Sequence, residues 1–197
     1  DPTPTVGTVG LIPNEKMITT SFFKQMNDVI ILIGGWGWEI AGTSYCQEIH
    51  GLKCGFPPSL DLPTEKRLHD GVRALIAAGL CRSAHDLSDG GLGVALAESI
   101  VGAPAGLGAS IEVSNDQRLD ITLFNESQSR AIVTVRPNAV KEALDLLEKQ
   151  GVTAQIIGAV SFKPELVFAF GNQKVIWTRA ELDAAYEGTI PSLMGPS

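Results

Sequence analysis

One stretch, from Ser83 to Glu98, limits what this chain can fold into more than any other. It reads Ser-Ala-His-Asp-Leu-Ser-Asp-Gly-Gly-Leu-Gly-Val-Ala-Leu-Ala-Glu. Residues 80–87 have the pattern of a short strand, and Ser88, Asp89, Gly90 and Gly91 make a polar, Gly-rich turn. Residues 92–101 are almost continuously apolar, too short to span a membrane and long enough for a buried helix. Strand, glycine turn and helix together put free backbone N–H groups at a helix N-terminus. Two readings follow. In one, Asp89 is the N-cap and the glycines only allow helix and sheet to pack closely. In the other, His85 and Asp86 at the strand end and Asp89 in the turn face a phosphate. Those carboxylates repel a bare phosphate and suit one bridged by Mg²⁺.

The rest of the chain predicts a layered α/β (α+β) protein with a mixed central sheet and helices on its faces. Val29–Ile33 and Ala131–Val135 are β-branched runs typical of strands buried on both faces. Further strands are expected at 6–12, 106–113, 154–160, 166–170 and 174–177. Helices are expected at 41–50, from Pro63 to Gly79 along the stripe Leu68, Val72, Leu75 and Ile76, and from Pro137 to Gly151. A last helix opens on the capping box Thr178-x-x-Glu181. Residues 114–117 read as a polar loop. Gly34, Gly35 and Gly37, interleaved with Trp36 and Trp38, do not form a dinucleotide fingerprint, because Ile40 stands where the third glycine belongs.

With 44% apolar and 19% charged residues, the chain can bury a sizeable core and is not disordered. A net charge of −7 argues against a nucleic-acid or anionic-membrane surface. Cys46, Cys54 and Cys81 match neither a zinc set nor a disulfide framework, which points to reduced thiols and a cytoplasmic setting. No Gly-x-Ser-x-Gly elbow or Ser-His-Asp order is present. Asp1-Pro-Thr-Pro-Thr-Val-Gly looks like a cut inside a longer protein.

A second polar stretch, Glu126-Ser127-Gln128-Ser129-Arg130, directly precedes a strand and is not explained by core packing. Either Arg130 pairs with Glu126 on an edge loop, or the stretch meets a ligand together with the aspartates of the first turn. In the second case Asp86, Asp89 and 126–130 converge on one cleft, with Arg130 partly buried against the carboxylate of Glu126 or Asp89.

The two polar motifs in combination, Ser83 to Leu92 and Leu123-Phe-Asn-Glu-Ser-Gln-Ser-Arg130, resemble the last domain of the phosphoribosylformylglycinamidine synthase family. The opening, Pro4 to Ile12, and the ending, Tyr186 to Gly195, are similar to that family too, so the resemblance spans nearly the whole chain. It implies an aminoimidazole-ribotide-synthetase-type C-terminal domain over 25–197, with 1–24 a remnant strand and linker from a preceding ATP-type domain. The implied reaction is ATP-dependent conversion of a formamide to an amidine in purine biosynthesis, with ammonia from glutamine. ATP and Mg²⁺ are implied for the full-length enzyme, and none is expected on the isolated chain, which is expected to be inactive.

The implied partners are the preceding domains of the same polypeptide, a glutaminase subunit and, if the synthetase is of the small type, a small accessory subunit. No nucleic acid or membrane is implied. Through an internal duplication, the family's ligand motifs fall on His85, Asp86, Asp89, Gly90, Gly91, Glu126, Ser127, Gln128 and Arg130, with Asp86 as the metal ligand and no catalytic residue. His85 stands where the family motif has Gln, and Asn125 where Gly is frequent, which marks an auxiliary or remnant site. The alternatives are a small-molecule kinase of the same superfamily and a pure interaction module.

Overall fold

Runs of β-branched residues build the middle of a single sheet in the computed structural model, which describes residues 5–113 and 116–195. The chain runs β1 Val29–Ile33, α1 Ser44–His50, α2 Leu62–Ala77, β2 Cys81–Asp86, α3 Gly91–Val101, β3 Gly108–Val113 and α4 Leu119–Phe124. It continues with β4 Ala131–Val135, α5 Val140–Lys149, β5 Ala154–Ser161, β6 Glu165–Phe170, β7 Gln173–Thr178, α6 Arg179–Glu187 and α7 Thr189–Met194. The seven strands lie in the order β2-β4-β1-β5-β3-β6-β7. All neighbours are antiparallel except the parallel pair β3–β6, so the sheet is mixed, as expected.

Successive residues of a strand face opposite sides of the sheet, and β1 divides its residues accordingly. Ile30 and Leu32 join one core with Leu92, Leu96 and Ile100 of α3. Ile31 and Ile33 join the other, with Leu68 and Leu75 of α2 and Ala143 and Leu147 of α5. The result is a three-layer arrangement with a core on each face of the sheet. On α2, Asp61 accepts from Thr64 N at 3.0 Å and supplies the N-cap. Gly71 lets α2 and α5 approach, since a Cβ there would lie 3.1 Å from Leu147 and Val152. The capping box of Thr178 and Glu181 opens α6 as read.

Three expectations need correction. Residues 6–12 form no strand: no strand lies alongside, and Val6, Val9 and Leu11 are 87%, 98% and 97% exposed. The segment after them is tied down, with Thr20 bridging Ser83 beside β2 and Phe23 buried in the α3 core. Asp89 does not cap α3. Gly90, in the left-handed conformation (φ 75°), is the N-cap, and no side chain of its own provides a cap bond. Finally, α4 and α7 are helical turns that the hydrophobic pattern did not announce. Ser114 and Asn115 of the expected polar loop lie outside the described residues.

Thiol chemistry tests the packing of β2. Burial pushes the Cys81 thiol up to about 12, whereas Cys54 is exposed. At about pH 8, where an ordinary thiol is partly ionised, a disulfide reagent should label Cys54 rapidly. It should reach Cys81 only on unfolding. Labelling of both at one rate would show that β2 is not packed this way.

Candidate functional site

The two polar stretches singled out in the sequence meet at one end of the sheet. Asp86 is the register partner of Ala131 across the β2–β4 ladder, so the end of β2 and residues 128–130 are neighbours by strand pairing. Between them and α2 lies a groove of about 780 Å³, lined among others by Glu65, His69, His85, Asp86, Gln128 and Ser129. Asp86 and Gln128 therefore share one groove, as the convergent reading required.

The groove is mixed in charge and already internally bonded. Glu65 receives hydrogen bonds from Ser129 Oγ at 2.5 Å and pairs with His69 Nε2 at 2.8 Å. His85 is fixed by oxygens on both sides: Nε2 lies 2.9 Å from Glu98 Oε2 and Nδ1 lies 2.7 Å from the Asp86 carbonyl. The Asp86 side chain is 76% exposed and the His85 ring 13%. Asp89 and Gln128 are exposed as well. Sequence reasoning missed Glu65 and His69. A Glu and a His four apart on a surface helix carry no signal beyond an ordinary helix pair.

The other sequence-selected residues point elsewhere. Glu126 is buried, and its Oε1 accepts from Gly90 N at 2.8 Å and from Ser44 N at 2.9 Å. One carboxylate thus serves the N-termini of α3 and α1, the place where Asp89 was expected to act. Ser127 Oγ accepts from Trp38 N at 3.1 Å and Glu39 N at 3.0 Å. Asn125 Nδ2 donates to the Trp36 carbonyl at 3.0 Å.

Arg130 is 3% exposed, and the expected carboxylate partner is not there. Its guanidinium donates instead to three carbonyls, Nε to Ser127 O at 2.8 Å, Nη1 to Trp36 O at 2.7 Å and Nη2 to Asn125 O at 2.7 Å. Burial pulls its pKa down to about 10, with Glu39 opposing the fall, and it stays charged at neutral pH. A planar fork of N–H donors suits three carbonyls better than any pairing with one carboxylate would. The polar stretch therefore grips backbone: its own, that of Gly90 before α3, and that of the loop after β1. The one sequence sign of this was the glycine spacing there: a Cβ at Gly37 would lie 2.3 Å from Asn125 Oδ1, and one at Gly34 2.0 Å from Ser129 O.

The fold is that of a known family. A match to the family described as "AIR synthase related protein, C-terminal domain" covers residues 25–169. The chain belongs to that family. Among curated proteins, it is 42% identical over 98% of its length to the phosphoribosylformylglycinamidine synthase subunit PurL of Moorella thermoacetica. It is 39% identical over 98% of its length to the PurL of Alkaliphilus metalliredigens. It spans 26% of each of these relatives, about a quarter of their length. The solved structure of Thermotoga maritima PurL complexed with FGAR matches with a TM-score of 0.74 at 24% identity, over 85% of this chain and 30% of that one.

Within this AIR synthase related domain, the donor set does not fit a metal-bridged triphosphate by itself. The Gly90 N–H that a phosphate would use is held by Glu126, and a Cβ at Gly91 would lie 2.3 Å from the Asn125 carbonyl. Gly91 serves close backbone packing against the segment after α4, and Gly90 leaves room for the Val94 side chain. Among the described residues no three His, Cys, Asp or Glu side chains are grouped to hold a metal ion, which leaves Asp86 as a single exposed carboxylate. No helix among them is long and apolar enough to cross a membrane.

Proposed function

We propose that this chain is the second C-terminal domain of an ATP-dependent phosphoribosylformylglycinamidine synthase, and that its role there is structural and auxiliary. The observation that carries this reading is the 42% identity across 98% of the chain to a PurL subunit. The whole enzyme, in the cytoplasm, transfers a phosphoryl group from ATP to a formamide oxygen. Ammonia then adds at that carbon and phosphate leaves with the oxygen, giving an amidine, ADP and phosphate. The partners are the preceding domains of the same polypeptide, joined through 1–24, a glutaminase subunit that supplies the ammonia and, for a synthetase of the small type, a small accessory subunit.

Of the residues matching the family's ligand motifs, Asp86, Asp89 and Gln128 are the accessible ones and are left to face a neighbouring domain. Glu126, Ser127 and Arg130 hold the domain's own backbone. Phosphoryl transfer is mostly positioning and charge stabilisation, and this domain supplies no triphosphate cradle. The chain alone should therefore show no ATP-dependent amidine formation from formylglycinamide ribotide and ammonia. Placed in the Moorella subunit in exchange for the matching segment, it should restore a folded, active ligase. Turnover by the chain alone, above a host-enzyme control, would overturn the proposal.

A further inference from the structure

Between β1 and α2 the chain leaves the sheet, and from Gly34 to Arg67 the only buried residue is Thr43. The part from Gly35 to Leu60 holds itself together. Glu39 Oε1 accepts from Ser59 N at 2.8 Å and from Ser59 Oγ at 2.9 Å, and Gly42 N donates to Cys54 O at 3.0 Å. Leu52 N donates to Cys46 O at 3.0 Å, and α1 has no buried residue. Its two limbs and its short helix are therefore one cohesive piece without a core of its own.

What joins this piece to the body is almost entirely polar. Asn125 and Arg130 hold the Trp36 carbonyl, Gln117 Nε2 donates to Gly37 O, and Ser127 accepts from Trp38 N and Glu39 N. Glu126 accepts from Ser44 N through its side chain and donates through its own N–H to Glu39 O. The apolar attachments are Trp36, partly buried against the α3 core, and Tyr45, stacked on Phe124 with ring centroids 4.9 Å apart. At one end sit Gly34 and Gly35, both at positive φ, and a Cβ on Gly35 would meet nothing within 4 Å. At the other end Pro57 and Pro58 precede Asp61, the cap that belongs to α2. A segment with few buried apolar contacts opens at lower free energy than the core.

We propose that residues 35–60 form a flap that opens as one unit about Gly35 and the Pro57–Leu60 limb, and that the closed flap keeps Ser127 and Arg130 from any ligand. Closed, it uses the Ser127 hydroxyl, one Glu126 oxygen and one arm of the Arg130 guanidinium. Opening returns the Ser127 hydroxyl and that Arg130 arm to the end of the sheet that already holds Asp86 and Gln128, while Gly90 N keeps its hold on Glu126.

Hydrogen exchange of the protein as it stands tests this. The amides of Trp38, Glu39, Ser44 and Glu126 should exchange with one common opening equilibrium, at least a hundredfold more open than Ile31 and Val133 in the central strands. Ser127→Ala removes two hydrogen bonds and should raise exchange of all four by a common factor of about tenfold, including Ser44, which Ser127 does not touch. Tyr45→Ala, on the far side of the flap, should do the same and carries the comparison if Ser127→Ala does not fold. Acceleration confined to Trp38 and Glu39, or flap amides that exchange only as slowly as the central strands, would overturn the proposal.

Discussion

Leu96→Asp is expected to leave no cooperatively folded protein. Leu96 is completely buried in α3 and shares a core with Ile30, Leu32, Ile111 and Phe168 from three strands of the sheet. Burying a leucine side chain contributes about 1.5–3 kcal/mol, which the substitution removes. It then places a carboxylate among aliphatic side chains, where an ionised group without a partner costs several kcal/mol more and even a protonated one lacks a hydrogen-bond partner. Against a typical domain stability of about 5–15 kcal/mol, the two losses together exceed what most folds can absorb. Leu96→Met keeps the volume and should cost less than about 1.5 kcal/mol. Urea unfolding followed by circular dichroism checks both. A cooperative transition for Leu96→Asp near the wild-type midpoint would mean that α3 does not pack as described.

The elements that could be read from the sequence are those whose signal is local. Val29–Ile33 and Ala131–Val135 are β-branched at four of five positions each, and they lie next to each other at the centre of the sheet with β5. The glycine turn before α3 was legible because a strand, two glycines and an apolar run follow in direct succession. The apolar residues of 6–12 imitate a strand equally well, but a strand also needs a neighbour to pair with, and that is not written in the segment itself. The site was half legible for the same reason. That Asp86 and Gln128 share a groove follows from strand pairing. What Glu126, Ser127 and Arg130 bind does not, because their partners are main-chain groups, some in their own stretch and others up to 94 residues away. Every residue carries such groups, so no side-chain pattern marks the ones that will be used.

Arg130→Ala is expected to destabilise the protein by about 2–5 kcal/mol, because each buried carbonyl left without a donor costs about 1–3 kcal/mol. The substitution strips the buried carbonyls of Ser127 and Asn125 of the guanidinium donor and leaves the Trp36 carbonyl with Asn125 Nδ2 alone. Hydrogen bonds to a charged group contribute roughly 1.5–3 kcal/mol each, but the sum overstates the loss for two reasons. Water can enter the vacated volume and serve part of the carbonyl set. The desolvation that draws the Arg130 pKa down to about 10 is also a cost that disappears with the side chain. Arg130→Lys should recover only part of the loss, because an ammonium is a point donor and cannot span three carbonyls in the plane of a guanidinium. Arg118→Ala provides the contrast: its side chain is 76% exposed and paired with Asp120, and its removal should change stability by no more than about 0.5 kcal/mol. Urea midpoints of the three variants decide the matter. If Arg130→Ala unfolds at the midpoint of Arg118→Ala, the guanidinium is not what holds residues 125–130 to the loop after β1.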